Sequence, residues 1–254
     1  MENVSDLRVS ELASSRYVRP YRLHFERDGH SLSWDYILSH DSLAVLLLNT
    51  SRDVFIFVKQ FRPAVLMHLV HQHIANDGSS SSTASTVASG LTDQTAGDGP
   101  AETPAGNGVQ QARAPAGQLH FPQSPVDPAR ACCYELCAGL IDKSGKSLPE
   151  IAREEVLEEC GYDVPLSRVH RVTSYQSNVG VGGSRQVLFF AEVTDEMKTG
   201  KGGGLESEGE LIEVIEVPRD HVMEFIMDES KPKATSVLFA VSLFLSSPGF
   251  FRGD

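Results

Sequence analysis

Apolar and polar residues alternate in two early stretches, Tyr21–Phe25 (YRLHF) and Leu32–Tyr36 (LSWDY). A period of two sends successive side chains to opposite faces and predicts two half-buried β-strands. Ser42–Leu48 and Val54–Val58 are denser apolar runs, divided by the polar stretch Asn49–Asp53. They predict two strands buried on both faces and joined by a turn, at the centre of a sheet. Further strands are predicted near Val169–Tyr175, Arg185–Val193 and Leu211–Val217, and helices near Leu148–Cys160, Asp220–Met227 and Ala234–Leu245. Strands interleaved with helices imply an α/β fold in which helices cover both faces of a mixed sheet.

The pattern lapses between Asn76 and Arg130, where SSSSTASTVASG leads into Gly, Pro, Ala, Gln and Asp without a hydrophobic period. Such a composition cannot bury enough apolar surface to offset the entropy of ordering. Residues 76–130 are therefore expected to be a disordered insertion, which costs little in loop closure. The expected organisation is an N-terminal β region over 1–40 and a main domain over 41–250 that carries the insertion. His68, His71 and His73 cluster before the insertion; no Cys or acid spacing matches them, so a loop role is expected rather than zinc binding.

The segment Tyr134–Tyr162 carries the chemistry: YELCAGLIDKSGKSLPEIAREEVLEECGY. Ser147 and Glu150 form an S-x-x-E capping box, Pro149 suits a first helical turn, and Gly161 supplies a C-terminal stop. Leu148, Ala152, Val156 and Cys160 recur every four residues and give the helix a buried stripe. Glu155, Glu158 and Glu159 are spaced i, i+3, i+4, so their carboxylates gather on one side. Their mutual repulsion is relieved by a hard divalent cation with oxygen ligands, and Mg²⁺ suits a small carboxylate set plus substrate phosphates. Alone, such a charge run also fits a solvated helix face. The strand-like Tyr134–Ala138 and the loop Gly139–Lys146 before it favour a site.

This segment resembles the Nudix box, G-x5-E-x7-R-E-U-x-E-E-x-G-U with U a bulky apolar residue. Gly139, Glu155, Val156, Glu158, Glu159, Gly161 and Tyr162 match it. The loop after Gly139 is one residue longer than usual, and Glu154 stands at the usual arginine position with Arg153 just before it. In the family that arginine helps orient a metal-binding glutamate. VKQFRPAV (Val58–Val65), GSRQ (Gly183–Gln186) and Glu208–Val214 extend the resemblance to the nucleoside diphosphate sugar branch.

The resemblance implies a Nudix α/β/α sandwich and hydrolysis of a UDP-sugar such as UDP-glucose to UMP and a sugar 1-phosphate. It implies Mg²⁺, or Mn²⁺, held by Glu155, Glu159, Glu158 and the Ala138 carbonyl. A general base is expected from a mobile acidic loop over Lys198–Glu210: Glu210 first, then Glu208. Arg62 and Glu135 are expected to contact substrate, and Trp34 to stack on the base across a homodimer. ADP-ribose hydrolysis and a catalytically weak nucleotide-sugar binding module are the alternatives, the second because of Glu154.

Charge and composition narrow the setting. The net charge of -12 speaks against a duplex nucleic-acid binder, which needs a basic surface. The N-terminal MENVSDLRVSELASS has no basic-then-apolar signal pattern, and no apolar run is long enough to span a bilayer, so a cytoplasmic protein is expected. Cys132, Cys133, Cys137 and Cys160 fit neither a zinc nor a disulfide pattern and are expected as buried thiols.

Overall fold

The computed structural model describes residues 4–10, 12–15, 17–77 and 119–251. In chain order these form strands β1 (Ser5–Val9), β2 (Arg19–Arg27), β3 (His30–Leu38), β4 (Ser42–Asn49) and β5 (Val54–Phe61) and helix α1 (Pro63–Asp77). Strands β6 (Leu119–Gln123), β7 (Cys132–Glu135) and β8 (Cys137–Leu140) lead to helix α2 (Leu148–Cys160). Strands β9 (Val169–Gln176), β10 (Arg185–Val193) and β11 (Ile212–Pro218) precede helices α3 (Val222–Met227) and α4 (Thr235–Ser246). No described helix is long and apolar enough to cross a membrane.

The chain divides into two compact units. One holds β1–β3, β6, nearly all of α1 and the stretch Gly180–Gly182. Strands β2 and β3 contain the two stretches expected as strands from their alternation, and they pair as an antiparallel hairpin with Leu23 opposite Trp34. The turn between them carries positive φ at both Asp28 (53°) and Gly29 (79°), the backbone that a tight two-residue hairpin needs. The indole N–H of Trp34 donates to the Gly180 carbonyl at 3.0 Å. Strand β1 pairs antiparallel with β6.

Two expectations change here. Residues 78–118 of the expected insertion lie outside the described residues, but its described end is ordered in β6 and a short 3-10 turn, Pro128–Ala131. Pairing with β1 supplies the backbone partners that local composition could not reveal. His68, His71 and His73 lie on α1, not in a loop, and α1 buries Leu66 and Val70 one turn apart.

The other unit is a seven-stranded mixed sheet with the path β11-β5-β4-β10-β9. Strands β4 and β10 run parallel; the remaining pairs are antiparallel. Strand β4 is buried on both faces, as its unbroken apolar run predicts. Leu43, Val45 and Leu47 join a core that contains Ile151, Ala152, Val156 and Cys160 of α2. Ala44, Leu46 and Leu48 join a second core with Phe225 of α3 and Val237, Val241 and Phe244 of α4. The sheet thus separates helical layers, giving the α/β/α sandwich.

Strands β4 and β5 pair only near their turn, from Leu47 opposite Ile56 to Asn49 opposite Val54. Beyond it they part, and the opening is filled by β8 on β4 and β7 on β5. The turn is held by buried Asn49, whose Oδ1 accepts the N–H groups of Ser51 and Arg52 at 2.9 and 3.2 Å. Its amide donates to Asp195 at 2.7 Å and to the Tyr162 hydroxyl at 3.3 Å.

Fully buried Phe190 meets Phe244 and Phe251 at ring-centroid distances of 5.5 and 5.3 Å. Truncating it empties the centre of that aromatic cluster. Phe190→Ala is expected to lower unfolding stability by about 3–5 kcal/mol in a urea titration, with its denaturant slope unchanged.

Candidate active site

The opening between β4 and β5 puts β8 directly before the acidic helix. Ala138 and Gly139 of β8 lie opposite Ala44 and Leu43 of β4. Residues 141–147 then lead to α2 at its expected cap: the Ser147 N–H donates to Glu150 Oε2 at 2.7 Å. Gly161 ends it in the left-handed conformation, φ 73°. The cap and the buried stripe together fix the helix rotation, and that rotation turns two glutamates inward.

Glu155 and Glu159 are one helical turn apart and are 9% and 2% exposed. Burial pushes the Glu159 carboxyl up to about 8, against the opposing effects of the Ala138 N–H and the Cys137 thiol. The Ala138 N–H donates to Glu159 Oε2 at 3.0 Å. Burial also raises Glu155, and the charges of Glu158 and Glu210 add to the rise. Gly139 allows the close approach: an ideal Cβ there would lie 2.2 Å from the Glu155 carboxyl carbon. Any side chain at this position would displace the Glu155 carboxylate from where it lies.

Glu158 is half-exposed and faces the Lys143 ammonium at 3.8 Å. Lys143 also reaches Glu155 Oε1 at 3.1 Å and Glu154 Oε2 at 3.5 Å. Glu154 takes both its oxygens to Lys146, at 2.6 and 2.7 Å. Arg153 turns the other way, onto Asp163 at 2.7 Å. Reasoning from sequence did not single out Lys143. The available signal was the acid at the usual arginine position, which leaves the cluster short of a cation on the helix itself.

The acidic loop expected to be mobile is tied to the C-terminal end of α2. The N–H groups of Gly203 and Gly204 donate to the carbonyls of Glu159 (2.9 Å) and Glu158 (3.1 Å), and Lys198 Nζ donates to that of Cys160 at 2.8 Å. The triple glycine is thus a helix-end receptor, not a phosphate cradle. Gly202 has φ 73°, and a Cβ there would lie 2.2 Å from the Glu159 carbonyl oxygen. Glu210 is half-buried, accepts the Leu205 N–H at 3.0 Å, and its charge raises both Glu155 and Glu159. The Glu208 side chain lies outside the described residues.

Arg62 and Glu135 are joined by two hydrogen bonds of 2.6 Å from Nε and Nη2, fork to carboxylate. Glu159 also acts electrostatically on Arg62, so this pair borders the acidic cluster. The four cysteines are buried thiols outside any disulfide, as expected.

Among the described residues, no three acid, His or Cys side chains are set around one point as a finished metal cage. The donor chemistry nonetheless fits a hard cation: two buried carboxylates, each raised by burial and by neighbouring acids, beside a backbone strand, with no sulfur-and-nitrogen set of three among the described residues.

The raised Glu159 has a measurable consequence in metal-free protein. Between its ordinary value of 4.5 and about 8, the folded state holds a proton that the unfolded state has lost. Stability therefore falls as pH rises through that window. In EDTA, the difference in unfolding free energy between wild type and Glu159→Gln is expected to move against wild type from about pH 5 to about pH 8. A flat difference in a pH series of denaturation curves would contradict the burial argument.

No family model matches the chain. It is 39% identical over 251 residues to the uridine diphosphate glucose pyrophosphatase NUDT14 of Bos taurus, covering 98% of each chain. The Mus musculus protein of the same name is 38% identical over 246 residues, 97% of this chain and 96% of that one. A shorter match, 31% identical over 123 residues, links 47% of the chain to 57% of a GDP-mannose pyrophosphatase of Klebsiella pneumoniae. With its glycine, loop and acidic helix in the order of the motif and nearly its whole length aligned to the two NUDT14 proteins, the chain belongs to the Nudix hydrolase family.

Proposed function

We propose that this protein hydrolyses the diphosphate of a nucleoside diphosphate sugar, with UDP-glucose as the leading substrate, giving UMP and glucose 1-phosphate. The observation that carries the hydrolytic reading is the pair of buried, mutually repelling carboxylates, Glu155 and Glu159, beside Ala138. The choice of uridine and glucose rests on the names of the full-length relatives.

In this reading Glu155, Glu159 and Glu158, with the Ala138 carbonyl, hold Mg²⁺, for which Mn²⁺ can substitute. The ion, when bound, supplies positive charge for the diphosphate oxygens and lowers the pKa of water. Glu210 is the general base: it takes a proton from water as the oxygen bonds to one phosphorus and the bridging P–O bond breaks. Arg62, aligned by Glu135 through Nε and Nη2, offers its remaining N–H groups to phosphate oxygens. Trp34 stacks on the nucleobase, and the protein works in the cytoplasm as a homodimer.

A panel of UDP-glucose, GDP-mannose and ADP-ribose, with products identified, tests the substrate. Turnover on UDP-glucose is expected to be fastest, to vanish in EDTA and to return with Mg²⁺. Faster cleavage of ADP-ribose would replace the uridine reading. Binding of UDP-glucose without metal-dependent turnover would favour a nucleotide-sugar sensor. Glu159→Gln is expected to lower kcat by a factor of about 10² or more at unchanged fold, as loss of a transition-state electrostatic group does. Light scattering is expected to give twice the chain mass of 27.7 kDa; a fully active monomer would remove the cross-subunit role of Trp34.

A further inference from the structure

We propose that Lys143, in the loop between β8 and α2, is a positioning residue of this site: its ammonium sets the Glu155 carboxylate for the metal. The inference rests on the reading that Glu155 and its neighbours hold a divalent ion. It assigns to a loop lysine the electrostatic support of the acidic helix.

The geometry carries this. Lys143 Nζ faces three carboxylates of α2: Glu155 at 3.1 Å, Glu154 at 3.5 Å and Glu158 at 3.8 Å. Glu154 is already neutralised by Lys146 through both its oxygens, and Glu158 is the most distant. The buried Glu155 is therefore the partner that depends on Lys143. Its side chain is 12% exposed and leaves little room for water to replace a lost cation. A buried carboxylate stripped of its partner protonates or turns away.

Glu155 is also held from the other side. Its carboxyl carbon packs where Gly139 lacks a Cβ, so it rests between that backbone and the ammonium. Lys143 bonds only Oε1. A carboxylate has lone pairs on both oxygens, so it can accept from the lysine and still ligate an ion.

The lysine is itself placed by a loop fixed at both ends. The Ile141 N–H donates to the Asp41 carbonyl at 2.9 Å, and the capping box holds Ser147. Gly145, at φ 84°, makes the turn between them. No cation on the helix takes this place, because Arg153 points to Asp163. The ammonium acts as a point charge that faces all three acids.

The test is Mn²⁺ titration, followed by electron paramagnetic resonance, of the full-length wild type, Lys143→Gln, Lys143→Arg and the double variant Lys143→Gln/Glu154→Arg. Lys143→Gln is expected to weaken Mn²⁺ binding by about tenfold or more, the usual cost of losing support behind a metal ligand. Lys143→Arg keeps most of the affinity. The double variant regains most of what is lost, because a side chain at 154 starts beside the place the ammonium occupies. For Lys143→Gln on UDP-glucose, kcat falls more than KM rises. Unchanged or tighter Mn²⁺ binding by a folded Lys143→Gln overturns the proposal; tighter binding would mean that Lys143 competes with the ion. If Lys143→Gln does not fold, the arginine and double variants decide, and loss of binding in both overturns it. Wild type that binds no Mn²⁺ removes the metal reading and this inference together.

Discussion

The burial of two like-charged carboxylates on one short helix is the constraint to which the rest of the second unit answers. An ionised carboxylate taken out of water is costly unless hydrogen bonds and opposite charge replace its solvent. Here the compensation is partial. Glu159 has the Ala138 N–H and the Cys137 thiol, and Glu155 has Lys143, yet burial still raises both. That shortfall of positive charge, in a protein of net charge -12, is the physical basis on which a cation site is proposed.

Several features serve to hold that helix in one orientation. The apolar stripe Ile151, Ala152, Val156 and Cys160 locks it on the sheet, and the capping box sets where it starts. At its end, backbone N–H groups of Gly203 and Gly204 satisfy carbonyls that a helix terminus leaves unpaired. The same bonds bring the loop that carries Glu210 up to the two buried acids. A glycine-rich run thus links the end of the acidic helix to the proposed base, a role that depends on close backbone approach and not on phosphate.

The parting of β4 and β5 matters as much. A sheet with its central strands paired throughout would leave no edge for β8. By separating after Leu47 and Ile56, they admit β7 and β8, so that Ala138 and Gly139 come to lie under Glu159 and Glu155. Arg62 at the far end of β5 and Glu135 at the end of β7 are paired by the same opening.

Much of this was legible along the chain. Helix α2 was readable to its ends because cap, stripe and stop are local signals, and β4, β5 and β10 because two-sided burial demands unbroken apolar runs. Gly139, Glu155 and Glu159 were readable because helical spacing and the motif fix them, and Gly139 leaves room for the Glu155 carboxylate. Strands β1 and β6 were not, since each is stabilised by a partner more than a hundred residues away, and helix α1 is too weakly patterned to stand out. Lys143 was invisible for a related reason: nothing in its neighbours states which acids a loop lysine meets. Local periodicity and steric need are written in sequence. The pairing of distant backbones and the sharing of one ammonium among three carboxylates arise only when the folded chain closes the distances between them.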